Sequence, residues 1–245
     1  MGRNNLIFGM HPLLEALEAG REIDKILLKR GLRSDEVSRI MALARERIIP
    51  LQMVPEERLS RLTRGQHQGV IAFVSEIEYT SLEQLIPIIY EQGRSPFVVL
   101  LDGLTDVRNF GAIARTAECA GVDALIIPER GSVSVTADAI KTSAGALHRL
   151  PVCRVSSIAS AVALLQQSGL QVVAASEKAS DLYTETDLRL PLGLVLGAED
   201  HGVSTDVLRM VDHIVRIPQV GAIGSLNVSV AAGILIYEVV RQAKK

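Results

Sequence analysis

Three short stretches carry the polar side chains best suited to chemistry. The first, Asp102-Gly103-Leu104-Thr105-Asp106-Val107-Arg108-Asn109-Phe110-Gly111, runs into a helical pattern bearing Arg115 and Glu118. The second, Gly197-Ala198-Glu199-Asp200-His201-Gly202, places carboxylates just after the apolar run Leu192 to Leu196. The third leads from Pro218 through Gly221, Gly224 and Ser225 to Asn227 and Ser229, ahead of a segment apolar nearly all round. Each residue also has a plain structural reading: Asn109 or Ser225 can cap a helix, and Glu199 can be a solvated loop charge. Their common position distinguishes them. All three stretches follow strand-like runs, and a parallel sheet presents its ligands at the carboxyl ends of its strands.

The elements that must position these loops can be read from periodicity and turn residues. Runs at Phe97 to Leu101, Ala124 to Ile127, Val152 to Val155, Gln171 to Ala175, Leu192 to Leu196 and His213 to Ile217 alternate with helical segments, which predicts a mostly parallel sheet covered on both faces. The final helix contains Ala231-Ala232-Gly233, small residues suited to close packing inside the domain or between subunits. Ahead of Pro96 the pattern is shorter. A helix over His11 to Glu18, a strand over Ile23 to Leu28, a helix capped by Ser34 with Val37, Ile40, Met41 and Ala44 on its inner face, and strands over Ile48 to Val54 and Val70 to Val74 make a small αβ domain. The expected boundaries are 1–76, a linker with a short helix over 77–95, and 96–245.

Composition narrows the chemistry. With 48% hydrophobic and 22% charged residues the chain is an ordinary globular one. No apolar run approaches a bilayer span of roughly 18 residues, and the first residues lack a secretory pattern, so a cytoplasmic protein without membrane contact is expected. Cys119 and Cys153 read as two small buried hydrophobes, and five scattered histidines offer no metal-ligand spacing, so no metal is expected. The glycines never fall two apart, which removes the Gly-x-Gly dinucleotide turn, and Val203 stands where a phosphate loop needs lysine. No Gly-x-Ser-x-Gly occurs either. Net charge is −2, with a small basic excess confined to residues 1–76: twelve Lys and Arg against ten Asp and Glu. Aromatics are 3%, which argues against a stacking platform for unpaired bases.

Taken in order and spacing, Asn109-Phe110-Gly111-Ala112-Ile113-Ala114-Arg115-Thr116-Ala117, Leu196 to Gly202, and Ile217-Pro218 through Ser225-Leu226-Asn227-Val228-Ser229 resemble the three motifs of the SpoU (TrmH) branch of the SPOUT RNA methyltransferases. Lys141-Thr142-Ser143-Ala144-Gly145-Ala146 looks like a further signature of that family. Phe8-Gly9-Met10-His11 and His67-Gln68-Gly69-Val70 are similar to the substrate-binding domain of bacterial 23S rRNA guanosine 2'-O-methyltransferases. Two places depart from the usual pattern: Asp106-Val107-Arg108-Asn109 where Asp-Pro-x-Asn is common, and Asp200-His201-Gly202 where Gly-Glu-Gly is.

The resemblance implies an α/β fold in two parts, a small amino-terminal αβ RNA-binding domain and a catalytic domain whose parallel sheet is tied in a trefoil knot. The knot rests on the resemblance alone, since chain connections are almost never knotted. It further implies a homodimer with the active site at its interface, S-adenosylmethionine as cofactor, and 23S rRNA as partner. Asn109, Arg115, Glu199, Ser225 and Asn227 would be catalytic. Leu196, Gly197, Ile217 and Leu226 would hold the cofactor, and His11, His67 and Gln68 would meet RNA. A tRNA ribose methyltransferase and a non-catalytic RNA-binding assembly factor are the alternatives.

Overall fold

The computed structural model describes residues 6–63, 65–222 and 224–243, and the chain divides into two units between Glu78 and Tyr79. The described elements of the first are β1 (Leu6–Phe8), α1 (Met10–Glu18), β2 (Ile23–Lys29), α2 (Asp35–Glu46), β3 (Leu51–Val54), α3 (Glu56–Leu62) and β4 (Val70–Val74). The strands lie in the order β1-β4-β2-β3. β4 is antiparallel to both its neighbours, and β2 and β3 are parallel. Alternation along the strands splits the apolar side chains between two faces. Ile26, Leu28 and Ala72 join Leu13 and Leu17 of α1 and Ile40 and Ala44 of α2 on one side. Leu27, Val54 and Ile71 meet Leu59 of α3 on the other.

The second unit runs β5 (Tyr79–Thr80), α4 (Leu82–Glu91), β6 (Phe97–Asp102), α5 (Val107–Cys119), β7 (Ala124–Pro128), α6 (Ala137–Thr142), β8 (Val152–Val155), α7 (Ile158–Gln167), β9 (Gln171–Ala175), β10 (Asp181–Leu182), β11 (Leu192–Gly197), α8 (Thr205–Leu208), β12 (His213–Arg216) and α9 (Val228–Ala243). Its described strands form one sheet, β10-β12-β9-β11-β6-β7-β8-β5, with every pairing parallel. Val98, Leu100, Ala124, Val172 and Val195 pack on one face against Ile158, Val162 and Leu165 of α7 and Leu82 and Ile86 of α4. Residues of opposite parity, Val99, Leu125, Val173 and Leu194, are also fully buried, and α9 packs against α5 and β11. The central strands are therefore covered on both sides, which is why they read as continuous apolar runs.

Several boundaries differ from the pattern reading. Ser34 does cap α2, its hydroxyl accepting from the Val37 amide at 3.2 Å, but the following strand begins at Leu51 and not Ile48. Ile48 takes a left-handed φ of 52°, and the Ile49 and Ile48 amides bond back to the carbonyls of Ala44 and Arg45, closing the helix. Met41, expected on the inner face, is 37% exposed. Residues 77–95, expected as a linker, supply β5, which pairs with β8, and α4, whose Leu82 and Ile86 enter the core of the larger unit. Cys119 was expected to be buried and is exposed at the end of α5. Cys153 is buried, and that burial, with the charge of Glu83 adding to it, pushes its thiol up to about 12. At Gly233 a side-chain carbon would find its nearest neighbour, Thr116 Cγ2, at 3.9 Å, so α9 meets α5 there at ordinary contact distance.

Candidate active site

In chain order, β6 is followed outward by β7 and β8, whereas β9 and β12 lie on the far side of β11. The direction of winding thus reverses where β6 meets β11, and open parallel sheets bind ligands at such a reversal. The two strands end level, with Asp102 opposite Gly197. Asp102 Oδ2 then accepts from the Ser204 amide at 2.8 Å, fastening the second loop across the gap. That loop folds back sharply. The Gly202 amide bonds to the Ala198 carbonyl at 2.9 Å, and a side-chain carbon on Gly197 would lie 2.0 Å from the Gly202 carbonyl carbon. Only glycine fits at position 197.

Asp106 caps α5, its Oδ1 accepting from the amides of Arg108 at 2.9 Å and Asn109 at 2.8 Å. Val107 is then the first helical residue, where proline is favoured because its amide proton is not needed. Valine there leaves the cap intact. Since Asp106 does the capping, the Asn109 side chain is free, and its Nδ2 donates to Glu199 Oε1 at 2.9 Å. Asn227 Nδ2 donates to the same oxygen at 2.6 Å and to Asn109 Oδ1 at 3.0 Å. Asn227 Oδ1 meanwhile accepts from the Ser229 and Val230 amides at 3.0 and 3.4 Å, capping α9. The N-cap role considered for Ser225 belongs to Asn227. Three distant residues thus form one closed hydrogen-bonded cluster across the reversal point.

Glu199 is also a wall of a cavity of about 380 Å³ at the carboxyl ends of β9, β11 and β12. Leu196, Gly197, Ile217 and Leu226 line it, as does Ser225. The same cavity is lined by Glu177, Lys178 and Gln219, which the sequence reading missed. Glu177 and Lys178 follow β9 at the edge where ligands were expected, with no glycine or motif to mark them, whereas Gln219 lies inside the third motif without having been singled out. Arg115 does not line it. Six residues beyond Asn109 on α5, it is turned about 240° around the helix, and it lines a separate concavity of about 500 Å³ with Glu118, Cys119, Ser143 and Arg149.

In the first unit, Gln68 Oε1 accepts from the Met10 amide at 2.9 Å, joining the loop before β4 to the start of α1. His67 Nδ1 accepts from the Gly69 amide at 3.0 Å, and Nε2 faces Ser60 Oγ at 3.3 Å. His11 is exposed, with Nε2 3.9 Å from Glu36. Among the described residues no group of three His, Cys, Asp or Glu converges as metal ligands would, and no helix is long and apolar enough to cross a membrane.

The chain is similar to proteins whose class is named. A Staphylococcus saprophyticus protein named for the TrmH family of tRNA/rRNA methyltransferases is 38% identical over 97% of this chain and 95% of its own. The structure of an AdoMet-bound rRNA methyltransferase from Sinorhizobium meliloti superposes with a TM-score of 0.61 at 26% identity, covering 97% of this chain and 87% of the other. That of the SpoU methyltransferase AviRb from Streptomyces viridochromogenes, in complex with AdoMet, gives 0.60 at 27% identity, covering 97% and 89%. Residues 6–80 match the family described as RNA 2'-O ribose methyltransferase substrate binding. Residues 96–237, more than half the chain and holding both the cavity and the Asn109–Glu199–Asn227 cluster, match the SpoU rRNA methylase family, to which this chain belongs.

Proposed function

We propose that this chain transfers a methyl group from S-adenosylmethionine to a ribose 2'-oxygen of RNA, the target being a guanosine of 23S rRNA. The observation that carries the reading is the hydrogen-bonded cluster of Asn109, Glu199 and Asn227, whose Glu199 forms part of the cavity wall. The cavity suits the cofactor. Its volume is that of a small-molecule pocket, Leu196, Val215, Ile217 and Leu226 give apolar walls for a purine, and Glu177, Lys178 and Ser225 give polar groups for a ribose and an amino acid. When bound, the cofactor supplies a methyl group already made electrophilic by its sulfonium.

The protein's task is then positioning. Glu199, accepting from both side-chain amides, locks Asn109 and Asn227 in one orientation beside the cavity that Glu199 lines. The Arg115 guanidinium would stabilise the 2'-oxygen as its proton passes to water, or grip a neighbouring phosphate. Within one chain it lies on the other side of α5, so in this reading a second copy brings its Arg115 to the cavity, and the protein is a homodimer. Val230 and Tyr237 of α9, 51% and 50% exposed, are the apolar surface available for that contact. The trefoil knot implied by the family resemblance belongs to the same reading.

Arg115→Ala is expected to abolish methyl transfer while leaving the affinity for S-adenosylmethionine within about twofold of wild type. Calorimetry beside an RNA methylation assay checks this. A variant with wild-type turnover would remove Arg115 from the mechanism. Running the assay on both rRNA and tRNA separates the two substrate classes.

A further inference from the structure

We propose that the Phe8 ring is a platform on which one unpaired nucleobase of the RNA substrate stacks. The proposal deepens the reading of the first unit as an RNA-binding module and rests on it. Composition argued against such a platform, and placement reverses the argument. Phe8 ends β1, the edge strand of its sheet, and alternation puts it on the same face as Leu6, which packs with Leu59 and Phe73. A phenylalanine there would normally complete that apolar cluster. Phe8 instead lies outside it and is 40% exposed.

The ring rests on the backbone of Gly65. A side-chain carbon at position 65 would sit 2.8 Å from Phe8 Cζ and closer still to its neighbour Cε2, so only glycine lets the ring lie this near the chain. The supporting loop is itself held fast. Gln68 Oε1 takes the Met10 amide at 2.9 Å, the Gly9 amide bonds to the Val70 carbonyl at 3.3 Å, and His67 is bound to Gly69 and Ser60. An exposed aromatic ring backed by a tethered loop is what base stacking requires, and every base offers a π-face to it. Ser60 of α3 borders this loop through His67. The exposed Arg58 and Arg61 of that helix supply cations for the flanking phosphates.

The chain contains no tryptophan, so Phe8→Trp places a single indole at the platform. A short single-stranded RNA is expected to quench its fluorescence, and the same strand annealed to its complement, with equal phosphate density but paired bases, is expected to leave it unchanged. Phe8→Leu should raise KM for unmodified rRNA about tenfold, with kcat within about twofold of wild type, and Phe8→Tyr should restore the wild-type KM. Quenching by the duplex equal to that by the single strand would overturn the proposal. Binding of the labelled strand, followed by anisotropy, is read separately. Equal binding by wild type and Phe8→Leu overturns the platform alone, whereas no binding by wild type overturns the RNA-binding reading and the platform with it.

Discussion

Asn227 performs two tasks with the two ends of one amide. Its Oδ1 caps α9 through the Ser229 and Val230 amides, and its Nδ2 reaches Glu199 and Asn109. Substitution can separate them. Asn227→Ala loses both, and the lost cap should cost about 1 kcal/mol of stability. Asn227→Asp keeps an acceptor for the helix amides but has no N–H for Glu199, and sets a second carboxylate beside it. Asn227→Asp should therefore melt above Asn227→Ala, while both methylate about a hundredfold more slowly than wild type. Thermal melts and initial rates check this, and wild-type turnover in Asn227→Asp would mean that the cluster does not orient the reacting groups. Residue types were legible at this scale: Asn109, Glu199 and Asn227 stand out as polar groups in loops. Their mutual bonds were not, because those residues are separated by 90 and 28 positions, and only the folded sheet edge brings them together.

Long elements declared themselves and short ones did not. β6, β7, β9 and β11 are continuous apolar runs because both faces of the sheet are covered. β1, β5 and β10 have two or three residues each, too few for any period to show. The difference matters most at β5, which no pattern showed, and at α4, whose helix was legible but whose place in the core was not. Acidic and turn residues around 77–95 suggested a linker, yet α4 carries Leu82, Ile86 and Ile89 into full burial. Each such side chain contributes about 1.5–3 kcal/mol when removed from water. A chain beginning at Gly93 would uncover β8 and its Cys153, against which α4 packs. A chain beginning at Tyr79 is expected to fold cooperatively and bind S-adenosylmethionine, whereas one beginning at Gly93 should melt at a markedly lower temperature or aggregate. Equal melting temperatures for the two would show that α4 adds nothing to the larger unit.

At the scale of the whole molecule there are two units with separate cores: the smaller carries the basic excess and the Phe8 loop, the larger the cavity and the hydrogen-bonded cluster. The three loops could be placed on one sheet edge from the sequence, and the structure puts them there. The direction of Arg115 follows from the pitch of α5 once Asn109 is known to face Glu199, and in the proposed reading the cavity it serves is that of a second copy. The central claim is ribose methylation, and the chemistry of RNA itself offers the test. Alkali cleaves RNA through the 2'-hydroxyl, so a methylated 2'-oxygen protects the adjoining phosphodiester. Unmodified rRNA incubated with the wild-type protein and S-adenosylmethionine labelled in its methyl group should, after alkaline hydrolysis, yield the label in dinucleotides resistant to cleavage. Label recovered in mononucleotides, as base methylation would give, or no label at all, would contradict it.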